Sequence, residues 1–393
     1  MRIGVDAAVW DNRRGYGRHA RALLAAAVEL DRSNQYVFFT DSPQPPANLP
    51  PGGEIVCVSA SAPAIEAARS NGRRRLRDLW AMSRALGRAD LDCLLFPTVY
   101  SYSPVVSRAY KIVVIHDVIP EKFPEYVFPA PANRWNWKLK SFLARRQADL
   151  ILTVSEFSRR EILEFFGEAP ERVKVIGEAG DRAFRVIENP VLSERLREAG
   201  LRPGDRMLVF VGGFSPHKNL AGLLDAFTVL LERWSDLRLV LAGDHQGDSF
   251  YSCYEQIRAR ASAPPLAGHV IFTGYIPDED LAHLLNLATA LVLPSFQEGF
   301  GLPAIEAAAC GLPVVATSAS PLPELLGEGA LCIDPFDGDA LRHALGRVLA
   351  DADLRRRMRE HGLRAAASLS WEKAARELLA IFDQVARRHA RAA

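Results

Sequence analysis

Cysteine is scarce in this sequence of 393 residues, and its five cysteines are scattered without the spacing of a metal site. An odd number of isolated cysteines argues against a disulfide-stapled fold and fits a reducing compartment. No stretch reaches 18 uninterrupted apolar residues, which excludes a membrane-spanning helix. The first six residues are a short strand pattern broken by a charge, unlike a signal peptide. These absences predict a cytoplasmic protein.

A large excess of either charge is also missing, because 48 Lys and Arg accompany 47 Asp and Glu. We therefore expect no nucleic-acid partner. The small surplus is uneven: residues 1–190 hold 27 basic and 22 acidic side chains, whereas the remainder holds 21 and 25. The basic half could meet an anionic membrane surface, or the asymmetry could be chance.

The length exceeds what one hydrophobic core supports, so we expect two domains. Short β-branched runs alternate with helical patterns, which predicts an α/β fold with two doubly wound parallel sheets. Glycines and prolines mark a boundary within 177–203. We assign 1–185 to the first domain, 186–373 to the second, and a last helix, 374–393, to the first. The candidate strands are 2–5, 36–40, 54–58, 94–96, 111–115, 150–154, 173–176, 207–211, 237–242, 270–273, 290–293, 314–317 and 330–333.

Two carboxylates, Glu298 and Glu306, lie eight residues apart around a Gly-Phe-Gly turn. Pro303 suits the first turn of a helix and Gly311 ends the helical run, so a helix is predicted to begin near Gly301. Unpaired amides at a helix start attract an anion. Such an element can hold a diphosphate between a carboxylate that reaches a sugar and one that binds a ribose diol. The amides in question are those of Phe300, Gly301 and Leu302.

Three other motifs follow predicted strands. Gly15 and Gly17 lie in a glycine turn that is not GxGxxG, so a dehydrogenase-type dinucleotide site is disfavoured; the turn could equally be structural. Lys218 follows the first strand of the second half and could carry charge to a diphosphate. His116 ends a strand of the first half and could bond a sugar hydroxyl or a leaving phosphate, or be structural.

Two basic stretches with tryptophans, 73–84 and 135–146, fit either of two interpretations. Interfacial helices that lie on a membrane have this composition. Ordinary helices that face the core and expose their arginines have it too. Peripheral membrane contact through the first domain therefore stays an open expectation.

Taken in order, these motifs resemble the family-4 retaining glycosyltransferases of GT-B fold, also described as glycosyl transferases group 1. The resemblance covers nearly the whole chain, and the Glu-x7-Glu segment is its most specific part. The forms His-Asp-Val-Ile-Pro and Ser-Glu-Phe-Ser look most like bacterial mannosyl- and rhamnosyltransferases. The matching segments are 15–18, 116–121, 153–159, 211–220, 241–244, 272–276 and 294–317.

The resemblance implies two Rossmann-like domains facing across a cleft, with a nucleotide-sugar donor on the second domain and the acceptor on the first. It implies that no metal or other cofactor is needed. The implied roles are ribose binding by Glu306, diphosphate binding by Lys218 with the Gly301 and Leu302 amides, sugar contacts by Glu298, His116 near the anomeric carbon, phosphate lining by Gly15 and Gly17, and base contacts by Tyr275 and Ile276.

One departure concerns the diphosphate. Relatives usually carry arginine beside the lysine or in the glycine turn before it, where this chain has His217 and Gly213. We still place Gly213 in the donor-binding turn. The charge that develops on the leaving diphosphate would be met mainly by Lys218 and helix amides. No carboxylate nucleophile is evident, so retention by front-face displacement is expected.

The sequence therefore predicts a retaining hexosyltransferase that uses a nucleotide-diphosphate sugar, with GDP-mannose as the first donor. Its acceptor would be a polysaccharide or a lipid-linked glycan. The alternatives are a UDP-sugar-dependent glycosyltransferase, a nucleotide-sugar 2-epimerase of related fold, and a sugar-nucleotide-binding regulator.

Overall fold

A computed structural model of the chain describes residues 1–12, 14–61, 75–244 and 251–392. The chain forms two compact α/β units. The first comprises Met1–Pro124, Phe128–Glu178 and Ser370–Ala393, and the second comprises Glu125–Val127 and Ala179–Leu369. Each unit is built on one sheet whose strand pairs are all parallel.

The first sheet has the order β3-β2-β1-β4-β5-β6-β7. Its inner strands read as buried apolar runs, as expected for a parallel sheet covered by helices on both faces, whereas the edge strand Glu54–Cys57 is largely exposed. The strands are β1 Arg2–Asp6, β2 Gln35–Thr40, β3 Glu54–Cys57, β4 Cys93–Phe96, β5 Tyr110–Val114, β6 Leu150–Thr153 and β7 Val173–Val175.

Side chains that alternate along these strands supply two separate cores. Ile3 and Val5 point to one face, where the first helix, Gly15–Leu30, and the last helix, Trp371–Ala392, cover the sheet. Leu94 and other strand residues point to the opposite face and meet the helices Leu76–Arg88, Pro131–Gln147 and Glu156–Phe166. The period of two in a β-strand thus divides one sheet between two layers of helices.

The second sheet has the order β10-β9-β8-β11-β12-β13, which repeats the connection pattern of the first six strands. All thirteen strands predicted from the sequence are confirmed, with ends within one residue. The strands of this sheet are β8 Arg206–Val211, β9 Leu237–Ala242, β10 Val270–Gly274, β11 Ala290–Leu293, β12 Val314–Thr317 and β13 Ala330–Ile333.

Helices form most of the connections between strands in both units, as is usual for crossovers between parallel strands. Among the described residues, the remaining α-helices are Ile119–Lys122, Pro124–Val127, Glu194–Glu198, Leu220–Leu231, Tyr254–Ala261, Asp278–Leu287, Leu302–Ala309, Leu322–Leu326, Gly338–Ala350 and Ala352–Ala367, and 3₁₀ turns span Pro170–Arg172, Pro216–Lys218 and Gly327–Gly329.

Each sheet has one point at which the strand order reverses direction. In the first sheet it lies between β1 and β4, and in the second between β8 and β11. Ligands of open α/β sheets bind beyond the carboxyl ends of the strands at such a point. The loops after β8 and β11 carry Lys218 and Glu298, and the loop after β1 carries Gly15.

Candidate functional site

The loops after β8 and β11 are joined by a charged pair. Nζ of Lys218 lies 2.7 Å from Oε1 of Glu298. The hydroxyl of Ser295 donates to the same carboxylate oxygen at 2.6 Å. The Phe296 amide donates to the His217 carbonyl at 2.8 Å and ties the two loops together. Two residues that the sequence singled out separately are thus brought into contact.

Asn219 holds the Lys218 loop in place. It is in the left-handed conformation, with φ of 54°, and it precedes the helix Leu220–Leu231. Asparagine often caps a helix through its side chain, but the Asn219 side chain makes no capping bond. Its Nδ2 instead donates to the carbonyls of Pro294 and Pro335, both at 3.2 Å. Asn219 therefore links the lysine loop to the loops after β11 and β13.

The predicted helix start near Gly301 is confirmed. The helix spans Leu302–Ala309 with proline in its first turn, and Gly301 precedes it with φ of 85°. The left-handed backbone favours glycine at this position, and a Cβ at Gly301 would crowd the Leu322 side chain at 3.0 Å. Within the described residues, no acceptor pairs with the amides of Phe300, Gly301 or Leu302. The helix start therefore keeps the free donors that an anion requires.

Both acids of the Glu-x7-Glu segment are buried. Glu298 is 8% exposed and Glu306 is 1% exposed. A Cβ at Gly180 would lie only 3.4 Å from Cγ of Glu306, so the backbone at Gly180 packs closely against the aliphatic part of the Glu306 side chain. Burial of carboxylates at a strand-end loop and in a helix is costly unless partners compensate. Glu298 has such partners in Lys218 and Ser295.

The other predicted donor-binding residues of the second unit follow two strands of its sheet. Gly213 lies after β8, and Tyr275 and Ile276 lie after β10. The Tyr275 side chain is 37% exposed, whereas Ile276 is buried. In a parallel sheet these positions lie at the same edge as Lys218 and Glu298.

In the first unit, the two predicted glycines differ in their surroundings. Gly15 opens the helix Gly15–Leu30, and a Cβ there would meet nothing within 4 Å. A Cβ at Gly17 would lie 2.1 Å from the carbonyl oxygen of Asn12. The absence of a side chain at Gly17 is therefore required by the turn itself.

His116 lies in a small group of titratable side chains. Its Nε2 is 3.1 Å from the Pro97 carbonyl, and its Nδ1 is 3.9 Å from Oε1 of Glu178. The same oxygen is 2.7 Å from Nδ1 of His19, whose ring meets the His116 ring edge-on. Burial, followed by the charge of His19, lowers the pKa of His116 to about 3. His116 is therefore neutral at physiological pH.

Sequence reasoning missed Ser295, His19 and Glu178. Ser295 stands three residues before Glu298 and could have been recognised as a local partner for that carboxylate. His19 lies two residues after Gly17, on the helix that follows the glycine turn. Glu178 follows β7 by three residues, at the edge where ligands of such sheets bind.

Glu121 ends the His-Asp-Val-Ile-Pro-Glu motif and is held by two donors. Trp137 Nε1 donates to its Oε1 at 2.7 Å, and Ser141 Oγ donates at 3.2 Å. Burial raises the pKa of Glu121 to about 7, with a further rise from the charge of Asp117. Asp117 itself accepts the Ile119 amide at 2.9 Å, so it caps the next turn.

The two basic stretches expose apolar side chains. On the helix Pro131–Gln147, Trp135 is 72% exposed and Leu139 is 60% exposed, and Phe142 follows on the same stripe. On the helix Leu76–Arg88, Leu76 and Trp80 are exposed as well. Residues 73 and 74 of the first stretch lie outside the described residues. These exposed side chains do not pack into the core of their unit, whereas Met82 and Leu86 of the helix Leu76–Arg88 do.

Comparisons with known proteins identify the family. The model of Glycosyltransferase Family 4 matches residues 13–181, and that of Glycosyl transferases group 1 matches residues 193–364. The chain is 32% identical over 265 residues to O-antigen chain mannosyltransferase B of Escherichia coli. The aligned region covers 66% of this chain and 67% of that protein. The chain belongs to the family-4 glycosyltransferases.

A second relative of this glycosyltransferase is the serotype-specific mannosyltransferase WbdA of Escherichia coli, 30% identical over 267 residues. That match covers 67% of this chain and 32% of WbdA, so the chain spans about a third of that protein's length.

Solved structures of low identity share the fold. Sucrose-phosphate synthase from Thermosynechococcus elongatus has a TM-score of 0.78 at 19% identity and covers 99% of this chain and 100% of that one. Anabaena HepE, in complex with UDP and glucose, has a TM-score of 0.73 at 17% identity, covering 98% and 100%. The glycosyltransferase thus has two Rossmann-like units. In the described part of the chain, no helix is both long and apolar enough to cross a bilayer.

Proposed function

We propose that this glycosyltransferase moves mannose from GDP-mannose, with retention of anomeric configuration, to a polysaccharide or a lipid-linked glycan. The two relatives from Escherichia coli are mannosyltransferases by name, and one of them is an O-antigen enzyme. A nucleotide-diphosphate-sugar donor is supported mainly by one observation. The Lys218–Glu298 pair accompanies a helix that begins at Leu302 and whose first amides have no acceptor among the described residues. These groups offer positive charge, amide donors and a carboxylate within one strand-end region.

The leaving group of this reaction is a nucleoside diphosphate, on which negative charge accumulates in the transition state. Lys218 carries three donors, of which one serves Glu298. The others can reach a phosphate oxygen while the amides of Gly301 and Leu302 contact the same group. Stabilisation by preorganised donors of this kind is the main catalytic contribution we expect.

Glu298 is placed to bind hydroxyls of the donor sugar, because Ser295 and Lys218 fix its carboxylate in one orientation. A carboxylate that accepts two short hydrogen bonds on the same oxygen is a weak nucleophile. This supports front-face displacement without a covalent glycosyl intermediate. Glu306 is proposed to bind the ribose, Tyr275 and Ile276 the base, and His116 to lie near the anomeric carbon.

The proposed transfer needs no metal, because Lys218 and the helix amides supply the countercharge that a cation provides in other glycosyltransferases. Chelation with EDTA is therefore expected not to lower the transfer rate. A rate that falls on chelation and returns with Mg²⁺ or Mn²⁺ would contradict this part of the proposal.

Donor hydrolysis and transfer assays with GDP-mannose, UDP-glucose and other GDP- and UDP-sugars test the donor. We expect turnover with GDP-mannose. A product with the α configuration of the donor would show retention, and a β-linked product would show inversion. Turnover only with UDP-sugars would favour the UDP-dependent alternative, for which the likeness to the UDP-bound HepE fold is the supporting observation. Conversion of a UDP-amino sugar without acceptor would indicate the 2-epimerase alternative.

We also propose that the first unit contacts an anionic membrane surface. Trp135 has the Lys138 ammonium 5.5 Å from its ring centroid, and Trp80 has the Arg84 guanidinium 4.9 Å away. The helix Pro131–Gln147 contains five basic residues and no acidic one. Exposed indoles flanked by cations suit the headgroup region of a bilayer.

Sedimentation with vesicles tests the membrane proposal. Binding is expected to phosphatidylglycerol vesicles, and to be weaker for phosphatidylcholine or at high salt, because the cations contribute through screened electrostatics. The double variant Trp135→Ala with Leu139→Ser should reduce binding, whereas Val106→Ser, at a residue 93% exposed in the same unit, should not. Equal binding by all variants would refute this surface.

A further inference from the structure

Two histidines and a glutamate meet within the first unit. His19, His116 and Glu178 each offer one ligand atom, and these atoms all lie within 4.8 Å of one another. The side chains of His19 and Glu178 are 2% and 4% exposed, and that of His116 is 16% exposed. Buried groups of this polarity require partners.

The hydrogen bonds of the group leave lone pairs unmatched. A carbonyl oxygen can only accept, so Nε2 of His116 donates to Pro97 and its Nδ1 faces Glu178 as a bare lone pair. Nδ1 of His19 is 2.7 Å from the same carboxylate oxygen, yet without the alignment of a hydrogen bond to any described residue. One proton can join only two of these three atoms. A single cation can satisfy all three.

The three side chains are of the types that bind zinc, and the separations of the Glu178 oxygen from the two histidine nitrogens bracket those of a zinc site. Ligand atoms about 2.0–2.1 Å from a tetrahedral Zn²⁺ lie about 3.3 Å apart. The Glu178 oxygen is 2.7 Å from one histidine nitrogen and 3.9 Å from the other, on either side of that value. The N–H of a ligating histidine normally donates to a carbonyl or carboxylate, as His116 does to Pro97.

We propose that His19, His116 and Glu178 form a binding site for a late first-row divalent cation, with Zn²⁺ the best fit. The site is distinct from an Asp-x-Asp site that would hold a donor diphosphate, because it is built from two imidazoles and one carboxylate. The fourth position of a three-ligand zinc site is open to water.

Metal binding has a consequence for the enzyme that rests on the proposed function. A metal at Nδ1 fixes the imidazole of His116, the residue proposed to lie near the anomeric carbon. Micromolar Zn²⁺ is therefore expected to slow transfer, and EDTA to restore it. The binding itself does not depend on the identity of the reaction, so the two proposals can fail separately.

Cobalt titration of the full chain, stripped with EDTA and dialysed, tests the site directly. Co²⁺ in a site with nitrogen and oxygen ligands shows visible absorption bands, and Zn²⁺ added afterwards should displace it. We expect one Co²⁺ per chain in the wild type and at least tenfold weaker binding in Glu178→Gln, which keeps the size of the side chain. His19→Gln should weaken binding similarly.

A matched control is His343→Ala, which removes an exposed histidine from a helix of the second unit and should leave the titration unchanged. Circular dichroism and the thermal midpoint show whether each variant is folded. If folded Glu178→Gln and folded His19→Gln both bind Co²⁺ as the wild type does, or if the wild type shows no saturable binding, the proposed site does not exist.

Discussion

Replacement of Glu121 by glutamine is expected to make stability less dependent on pH. In the native state burial raises the pKa of Glu121 from 4.5 to about 7. Between these two values the native carboxyl keeps a proton that the unfolded chain releases. Stability of the wild type therefore falls as pH rises through this window, because the unfolded state binds fewer protons.

The magnitude follows from the shift. A difference of one pKa unit corresponds to about 1.36 kcal/mol, so the full shift of Glu121 costs about 3 kcal/mol above pH 7. At pH 5, which is only slightly above the unfolded pKa of 4.5, the destabilisation is about 1 kcal/mol. Glutamine cannot ionise but retains an oxygen for Trp137 and Ser141. Any constant effect of its amide cancels when two pH values are compared.

Urea unfolding at pH 5 and pH 8, followed by tryptophan fluorescence, measures this difference. Five of the six tryptophans lie in the unit that contains Glu121, so the signal reports mainly on that unit. The advantage of Glu121→Gln over the wild type should grow by about 2 kcal/mol from pH 5 to pH 8.

A control for general charge effects is Glu164→Gln, an exposed position in the same unit. Its effect should stay within about 0.5 kcal/mol at both pH values. A gap between Glu121→Gln and the wild type that is the same at pH 5 and pH 8 would refute the raised pKa and the burial that causes it.

Three further predictions concern the two strand-end regions. Lys218→Ala should lower turnover at least about tenfold in a donor hydrolysis assay, because one electrostatic contact to the leaving group is lost; an unchanged rate would remove Lys218 from the site. Ser295→Ala should lower kcat/KM about tenfold, since a hydrogen bond to a charged group contributes about 1.5–3 kcal/mol, and an unaffected value would show that Glu298 is oriented by other contacts. Gly17→Ala should destabilise the first unit by about 1–3 kcal/mol, because its Cβ would lie 2.1 Å from the Asn12 carbonyl; a wild-type denaturant midpoint would contradict that clash.

Most of the fold could be predicted from the sequence. Short apolar runs separated by helical patterns located all thirteen strands, because a strand buried on both faces needs a continuous apolar segment. The helix start at Gly301 could also be predicted, since proline and glycine restrict the backbone locally. Such preferences depend on a few neighbouring residues, so they can be recognised without knowing which distant parts of the chain pack together.

Part of the site could be predicted in the same way, although as separate residues. Lys218 and Glu298 were recognised as strand-end residues, but their mutual contact was not. That contact arises because β8 and β11 are neighbours in the sheet while Lys218 and Glu298 are 80 positions apart in sequence. Ser295 and Asn219 acquire their roles from the same packing of loops.

The amino-acid sequence by itself determined the alternation of strands and helices, the glycine turns and the identities of the acids and the lysine, because these depend on short-range sterics and hydrophobic period. Only the tertiary structure decided which side chains share a charge or a hydrogen bond. His19, His116 and Glu178 meet because β1, β5 and β7 end at the same edge of one parallel sheet. Neither their spacing in the chain nor their individual motifs contain that information, since strand order is settled by packing of the whole unit.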